Sequence, residues 1–73
     1  MAITMNSSAR EWIAQAREND KEALIEGIRM IYNCREADVR EDGDIWICNP
    51  QRGHWLDEDG LDRVARALKA GNI

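Results

Sequence analysis

The spacing of apolar residues changes near Ala37 and changes back after Leu56, and this constrains the fold more than any other feature. Outside this central segment, apolar residues recur every three or four positions, the period of a helix with one buried face. Inside it, apolar and polar residues alternate, the period of a strand with one buried face. Helices on both sides of a group of strands predict an α+β domain.

The first predicted helix begins at a capping box. Ser8 is followed three residues later by Glu11, so each side chain can bond a free backbone N–H of the other residue. Apolar residues then recur at helical spacing: Ala9, Trp12, Ile13 and Ala16. The pattern predicts a helix from about Ser8 to Glu18, and residues 1–6 are expected to be loose.

A second capping signature, Asn19 followed by Glu22, predicts a helix from about Asp20 to Asn33. Its apolar face is broad enough for a central helix with more than one neighbour. The face contains Leu24, Ile25, Ile28, Ile31 and Tyr32, widened by Ala23, Gly27 and Met30. Gly27 costs about 1 kcal/mol relative to Ala in mid-helix. A close helix crossing would explain it, and simple tolerance of glycine is the alternative.

The alternating segment predicts a β-hairpin and a short third strand. Residues 37–40 alternate, residues 41–43 supply turn chemistry, and residues 44–48 form a β-rich run. Pro50 is expected to end the second strand, because it has no N–H for the ladder, and residues 49–53 are predicted as a loop. The third strand is predicted at His54 to Leu56.

Alternation also assigns the second strand's side chains to two faces. Ile45 and Ile47 share the face that is expected to pack on the helices, and Trp46 lies on the opposite face. Trp46 is therefore expected to point to solvent, to Trp55 or to a second copy of the chain. An outer face with an apolar residue and an open edge favours a homodimer.

The last predicted helix has clear signals at both ends. Asp57 is the N-cap, Glu58 and Asp59 oppose the positive end of the helix dipole, and Gly71 is the C-cap. Leu61, Val64, Ala65 and Leu68 form its apolar face. The predicted order is helix, helix, strand, strand, short strand, helix. This describes one small α+β domain over residues 1–73, with the helices on one face of a short antiparallel sheet.

Composition argues against several classes of protein. The net charge of −4 argues against general affinity for nucleic acid or anionic membranes. With no long apolar run and no signal-peptide pattern, a cytoplasmic location is expected. Cys34 and Cys48 lie outside any CxxC motif, which favours reduced structural thiols, with one disulfide as the alternative.

An acidic segment that contains two tryptophans is the candidate binding surface. Residues 36–62 hold nine acidic side chains against two basic ones. Trp46 and Trp55 are the expected anchors, since aromatic anchors within a charged rim are common in protein interfaces. The expected rim consists of Glu41, Asp42, Asp44, Asp57, Glu58 and Asp59. The alternative is that at least one tryptophan belongs to the core.

These features favour a non-enzymatic protein that binds another macromolecule, expected to be a protein with a basic surface. One version is a phage or mobile-element inhibitor or adaptor, of the anti-CRISPR or anti-restriction type, whose carboxylates occupy a basic, nucleic-acid-binding groove on a host protein complex. A second hypothesis is a nucleic-acid-binding module that uses Arg52, Arg63, Arg66 and Lys69. Against it, the nearby carboxylates repel phosphate, and a solvated helix face explains the same charges. A third is a structural homodimer subunit of a larger assembly.

Metal binding and catalysis have little support in the sequence. Cys34, Cys48, His54 and Asp57 match no common zinc spacing. A cysteine nucleophile would depend on His54, the only histidine, and no residue pattern supplies an orienting group. No cofactor, metal or catalytic residue is expected.

Overall fold

The fold consists of two helices and a three-stranded sheet. The computed structural model describes residues 3–49 and 52–73. In chain order the elements are α1 (Ala9–Tyr32), β1 (Glu36–Val39), β2 (Ile45–Asn49), β3 (Arg52–Trp55) and α2 (Glu58–Lys69). The strands form one antiparallel sheet in the order β1, β2, β3. The predicted fold class, a small α+β domain, is confirmed.

Helix α1 consists of two helical segments with a break at Asp20, so the two helices predicted over this stretch are confirmed. At its start Ser8 Oγ accepts a hydrogen bond from the N–H of Glu11 at 3.2 Å, as the capping box predicts. At Asp20 the backbone is non-helical, with φ −162° and ψ 90°. The Asp20 carboxylate accepts a bond from the N–H of Ala23 at 3.1 Å. Asp20 therefore caps the second part of α1, a role that the sequence pattern wrongly assigned to Asn19.

The β1–β2 turn packs tightly on the first turn of α1. The N–H of Arg40 donates to Asp44 O at 2.8 Å, and the N–H of Gly43 donates to Arg40 O at 3.0 Å. Gly43 has φ +90°, a conformation that favours glycine. A Cβ atom at Gly43 would lie 2.9 Å from both Cα and the carbonyl carbon of Arg10. Glycine is therefore required here both by the backbone angle and by the space.

Strand β3 begins earlier than predicted. It pairs with β2 from Arg52, opposite Asn49, to Trp55, opposite Trp46. The predicted loop is therefore wrong for residues 49, 52 and 53, and the strand ends one residue before Leu56. The local sequence does not favour a strand at these residues, and pairing with β2 stabilises their extended conformation. Pro50, which was predicted to end the second strand, lies outside the described residues.

The core lies between the helices and the inner face of the sheet. Ile45 and Ile47 are 0% and 4% exposed, so the predicted inward face is confirmed. The largest side chains with less than 2% exposure come from both helices, β1 and β2: Ile13, Leu24, Ile28, Val39, Ile45, Leu61 and Val64. Met30 is 80% exposed, so the prediction that it widens the apolar face of α1 is wrong.

Gly27 permits a close approach, but not that of another helix. A Cβ atom at Gly27 would lie 2.5 Å from Cγ2 and 3.0 Å from Cγ1 of Ile73. Ile73 follows the end of α2 and packs against the core. Of the two alternatives, a helix crossing and simple tolerance of glycine, neither describes this position, because the small residue accommodates Ile73.

Helix α2 begins and ends as its sequence signals predict. Asp57 Oδ1 accepts a hydrogen bond from the N–H of Gly60 at 2.9 Å. At the other end Gly71 has φ +76° and its N–H donates to Leu68 O at 3.1 Å, while the N–H of Asn72 donates to Ala67 O at 2.9 Å. This pair of bonds is a Schellman motif, which explains why a glycine ends the helix.

Candidate binding surface

The outer face of the sheet carries both tryptophans side by side. Trp46 on β2 lies opposite Trp55 on β3 and opposite Asp38 on β1. Trp55 is 49% exposed, Trp46 is half-buried, and neither belongs to the core cluster. The alternative, in which at least one of these two tryptophans belongs to the core, is therefore wrong.

The indole of Trp46 lies against the backbone of β3. A Cβ atom at Gly53 would lie 2.6 Å from Cε2 and 2.8 Å from Nε1 of Trp46. The missing side chain at Gly53 therefore makes room for the ring. This contact accounts for the partial burial of Trp46, which has no place in the core.

Arg40 completes this surface, and sequence analysis did not include it. Its guanidinium carbon lies 5.5 Å from the ring centre of Trp55, within range of a cation–π interaction. Together with Asp38 and the two tryptophans it lines a shallow groove of about 240 Å³. Small-molecule sites usually run from about 300 to 1,000 Å³. The groove therefore suits one side chain of a partner better than a whole ligand.

The acidic residues of the predicted rim lie at the same end of the sheet as the tryptophans. This follows from the topology, because β2 begins and β3 ends at that end, next to the β1–β2 turn and the start of α2. Arg10 links these segments. It pairs with Asp44 at 3.2 Å and with Glu58 at 2.9 Å. The hydrogen bond to Glu58 is the main cause that raises the pKa of Arg10.

The rim residues therefore differ in the charge that they offer to a partner. Asp44 and Glu58 share the single positive charge of Arg10, a residue that no sequence pattern assigned to the surface. Asp42 accepts a hydrogen bond from the N–H of Asp44 at 3.0 Å in the turn, and Asp57 caps α2. Glu41 and Asp59 are exposed and form no ion pair or hydrogen bond with the residues that the structure describes. These two carry the unengaged negative charge of the rim.

The four cations of the nucleic-acid hypothesis do not form one free basic patch. Arg63 lies 5.1 Å from the ring centre of Tyr32, and Lys69 lies 5.7 Å from that of Trp12. Arg66 pairs with Asp62 at 2.9 Å, and Arg52 lies on β3, away from this helix. Three of the four are therefore engaged within the chain.

The cysteines and the histidine do not assemble a reactive site. Cys34 is buried and Cys48 is half-buried on the outer face, and both are free thiols. His54 lies opposite Ile47, and its side chain therefore points to the other face of the sheet from Cys48. Among residues 3–49 and 52–73, no three His, Cys, Asp or Glu side chains converge in a way that could hold a metal ion.

Known proteins add no functional information to this surface. Comparison with models of protein families, with curated proteins and with solved structures found no match to the chain. In the part of the chain that the structure describes, neither helix has the length and apolar character needed to cross a membrane.

Proposed function

We propose that the protein acts by binding another protein through the outer face of its sheet, with Trp46 and Trp55 as anchors. The supporting observation is the pair of adjacent tryptophans on a face where the described chain places no helix. Tryptophan and arginine are enriched among the residues that dominate binding energy in interfaces. Arg40 adds a cation to the groove, and its contact with Trp55 helps to hold that ring in place.

The proposed partner has a basic surface. The chain carries a net charge of −4, and Glu41 and Asp59 are the rim carboxylates without an internal partner among the described residues. Charges at the edge of an interface mainly steer the encounter and exclude wrong partners. A nucleic-acid-binding groove on a partner protein is basic and would attract these carboxylates. The specific version of the proposal is therefore a phage or mobile-element inhibitor or adaptor.

The anchor test compares two exposed apolar side chains. Wild type, Trp55→Ala and Met30→Ala are each titrated against a panel of purified nucleic-acid-binding proteins and a panel of acidic proteins. We expect binding to one or more basic proteins, and a loss of about 30-fold or more in Trp55→Ala, the scale of an interface hot spot. Met30 is 80% exposed on α1 and is the matched control, so Met30→Ala should bind like wild type. Equal binding by wild type and Trp55→Ala would refute the anchor role.

A second test separates charge from anchoring. The double variant Glu41→Lys, Asp59→Lys reverses the two unengaged rim charges, and Glu22→Lys, on the exposed side of α1, changes charge elsewhere. We expect the double variant to associate more slowly and with less dependence on salt than wild type. Glu22→Lys should resemble wild type. Association rates that are independent of salt in wild type would rule out a basic partner.

A further inference from the structure

The two edges of the sheet differ in how their backbone groups are used. On β1, the outward C=O of Val39 accepts a hydrogen bond from Arg17 Nε at 2.9 Å. The N–H of Val39 donates to the carboxylate of Asp38, also at 2.9 Å. These contacts occupy part of the β1 edge with the chain's own side chains, a common way to prevent pairing with another strand.

The β3 edge is open. The N–H of Leu56 donates to Ile45 O at 2.9 Å, so by antiparallel alternation Gly53 and Trp55 direct their N–H and C=O groups away from β2. These four groups form no hydrogen bond with other described residues. All four residues of β3 are exposed. The strand therefore offers two donors and two acceptors in the geometry that a further strand requires.

We propose that β3 pairs antiparallel with β3 of a second copy of this chain, about a two-fold axis at His54. In this register Gly53 of each copy lies opposite Trp55 of the other copy. All four free groups of each strand are then used, and His54 faces its own counterpart in a non-hydrogen-bonded pair. The product is a continuous six-stranded antiparallel sheet.

Charge favours a second copy over an unrelated strand. β3 begins with Arg52 and is followed by Asp57 and Asp59, so one end of the edge is basic and the other is acidic. A two-fold antiparallel pair places Arg52 opposite Leu56 of the second copy, next to that copy's Asp57. The basic end thus meets the acidic end twice. A uniformly basic extended peptide would instead meet Arg52 with like charge.

This dimer goes beyond the proposed function and does not depend on it. Edge pairing leaves the outer faces of both sheets open. It places the two pairs of Trp46 and Trp55 on the same side of one larger sheet, which doubles the surface available to a partner. The test uses this protein alone, so its failure would leave the partner-binding tests unaffected.

The experiment combines sedimentation equilibrium with amide hydrogen exchange, both measured over a range of protein concentration. We expect a dimer, and we expect the amides of Gly53 and Trp55 to become protected as the dimer forms. A chain that stays monomeric at millimolar concentration would overturn the proposal. So would a dimer in which these two amides stay unprotected, because its interface would lie elsewhere.

A matched pair of variants tests the register. His54→Lys places two ammonium groups opposite each other at the two-fold axis, whereas His54→Thr keeps the site neutral and suited to a strand. His54 is exposed, so both variants should fold. We expect the dissociation constant of the dimer to rise about fivefold in His54→Lys, the upper range for a like-charged cross-strand pair. It should change little in His54→Thr. Equal constants for the two variants would refute this register.

Discussion

Replacing Gly43 with alanine tests how tightly the β1–β2 turn packs on α1. The added methyl group has two effects. Gly43 has φ +90°, and a positive φ costs an L-residue roughly 1–2 kcal/mol. In addition, the methyl group would meet the backbone of Arg10 at distances of 2.9 Å, and forcing extra volume into a packed site costs roughly 1–3 kcal/mol. The expected loss in free energy of unfolding is about 2–5 kcal/mol.

Gly71→Ala is the control that separates these effects. Gly71 also has a positive φ, +76°, but nothing lies within 4 Å of a Cβ atom there. It should therefore lose only the conformational part, about 1–2 kcal/mol. For a chain of 73 residues the whole free energy of unfolding is about 4–11 kcal/mol, so the Gly43 variant loses a large share of it.

The assay is urea unfolding of wild type, Gly43→Ala and Gly71→Ala, followed by tryptophan fluorescence. Each kcal/mol should also lower Tm by about 4–8 °C for a domain of this size. The slopes of the three transitions should agree, so that the midpoints report stability. If the two variants lost the same free energy, the turn would not be packed against the Arg10 backbone, and the reasoning would be refuted.

Two further predictions use the same assay. Ile28→Ala should lower the free energy of unfolding by about 2–5 kcal/mol, because Ile28 is 0% exposed. Met30 is 80% exposed, so Met30→Ala should change the free energy of unfolding by about 0.5 kcal/mol or less. Similar losses in both variants would mean that the buried face of α1 is assigned wrongly. Tyr32→Phe should cost about 1 kcal/mol near neutral pH, because it removes the hydrogen bond that Tyr32 donates to Gly60 O at 3.2 Å. Burial raises the pKa of Tyr32 above its ordinary value of 10.0, so this contribution to stability is fully present below pH 10.0 and is lost as pH rises through the folded-state pKa. The Phe variant lacks this alkaline loss, and parallel declines of the two proteins above pH 10.0 would contradict the assignment.

The caps at Ser8 and Asp57 agree with their sequence patterns, whereas the cap at Asp20 and most of the third strand do not. Ser8 and Asp57 bond N–H groups three residues away, as their patterns predict. Strand β3 includes Gly53, a residue type that disfavours strands, and its order comes from pairing with β2. Glycine is suited to position 53 because the ring of Trp46 occupies the space that a larger side chain would need.

The outward position of Trp46 was predicted, but the electrostatics of the candidate surface were not. Alternation along β2 predicted that Trp46 lies on the outer face and the isoleucines on the inner face, and the structure confirms this. Counting acidic residues did not distinguish engaged carboxylates such as Asp44 from unengaged ones such as Glu41. The contact between Arg40 and Trp55 was not predicted either, because no local sequence pattern shows which side chain an arginine contacts in the folded chain.

By itself the sequence determined the α+β class, the helix caps at Ser8 and Asp57, the β1–β2 hairpin and the two faces of β2. Caps, turns and periodicity depend on residues within about one helical turn of each other, so the local sequence is enough to predict them. Only the tertiary structure decided which charges remain free and which edge of the sheet stays open. Arg10 reaches Glu58, which lies 48 residues further along the chain, and Arg17 reaches the edge of β1 across 22 residues. Such contacts depend on how the elements pack, and no local pattern encodes them.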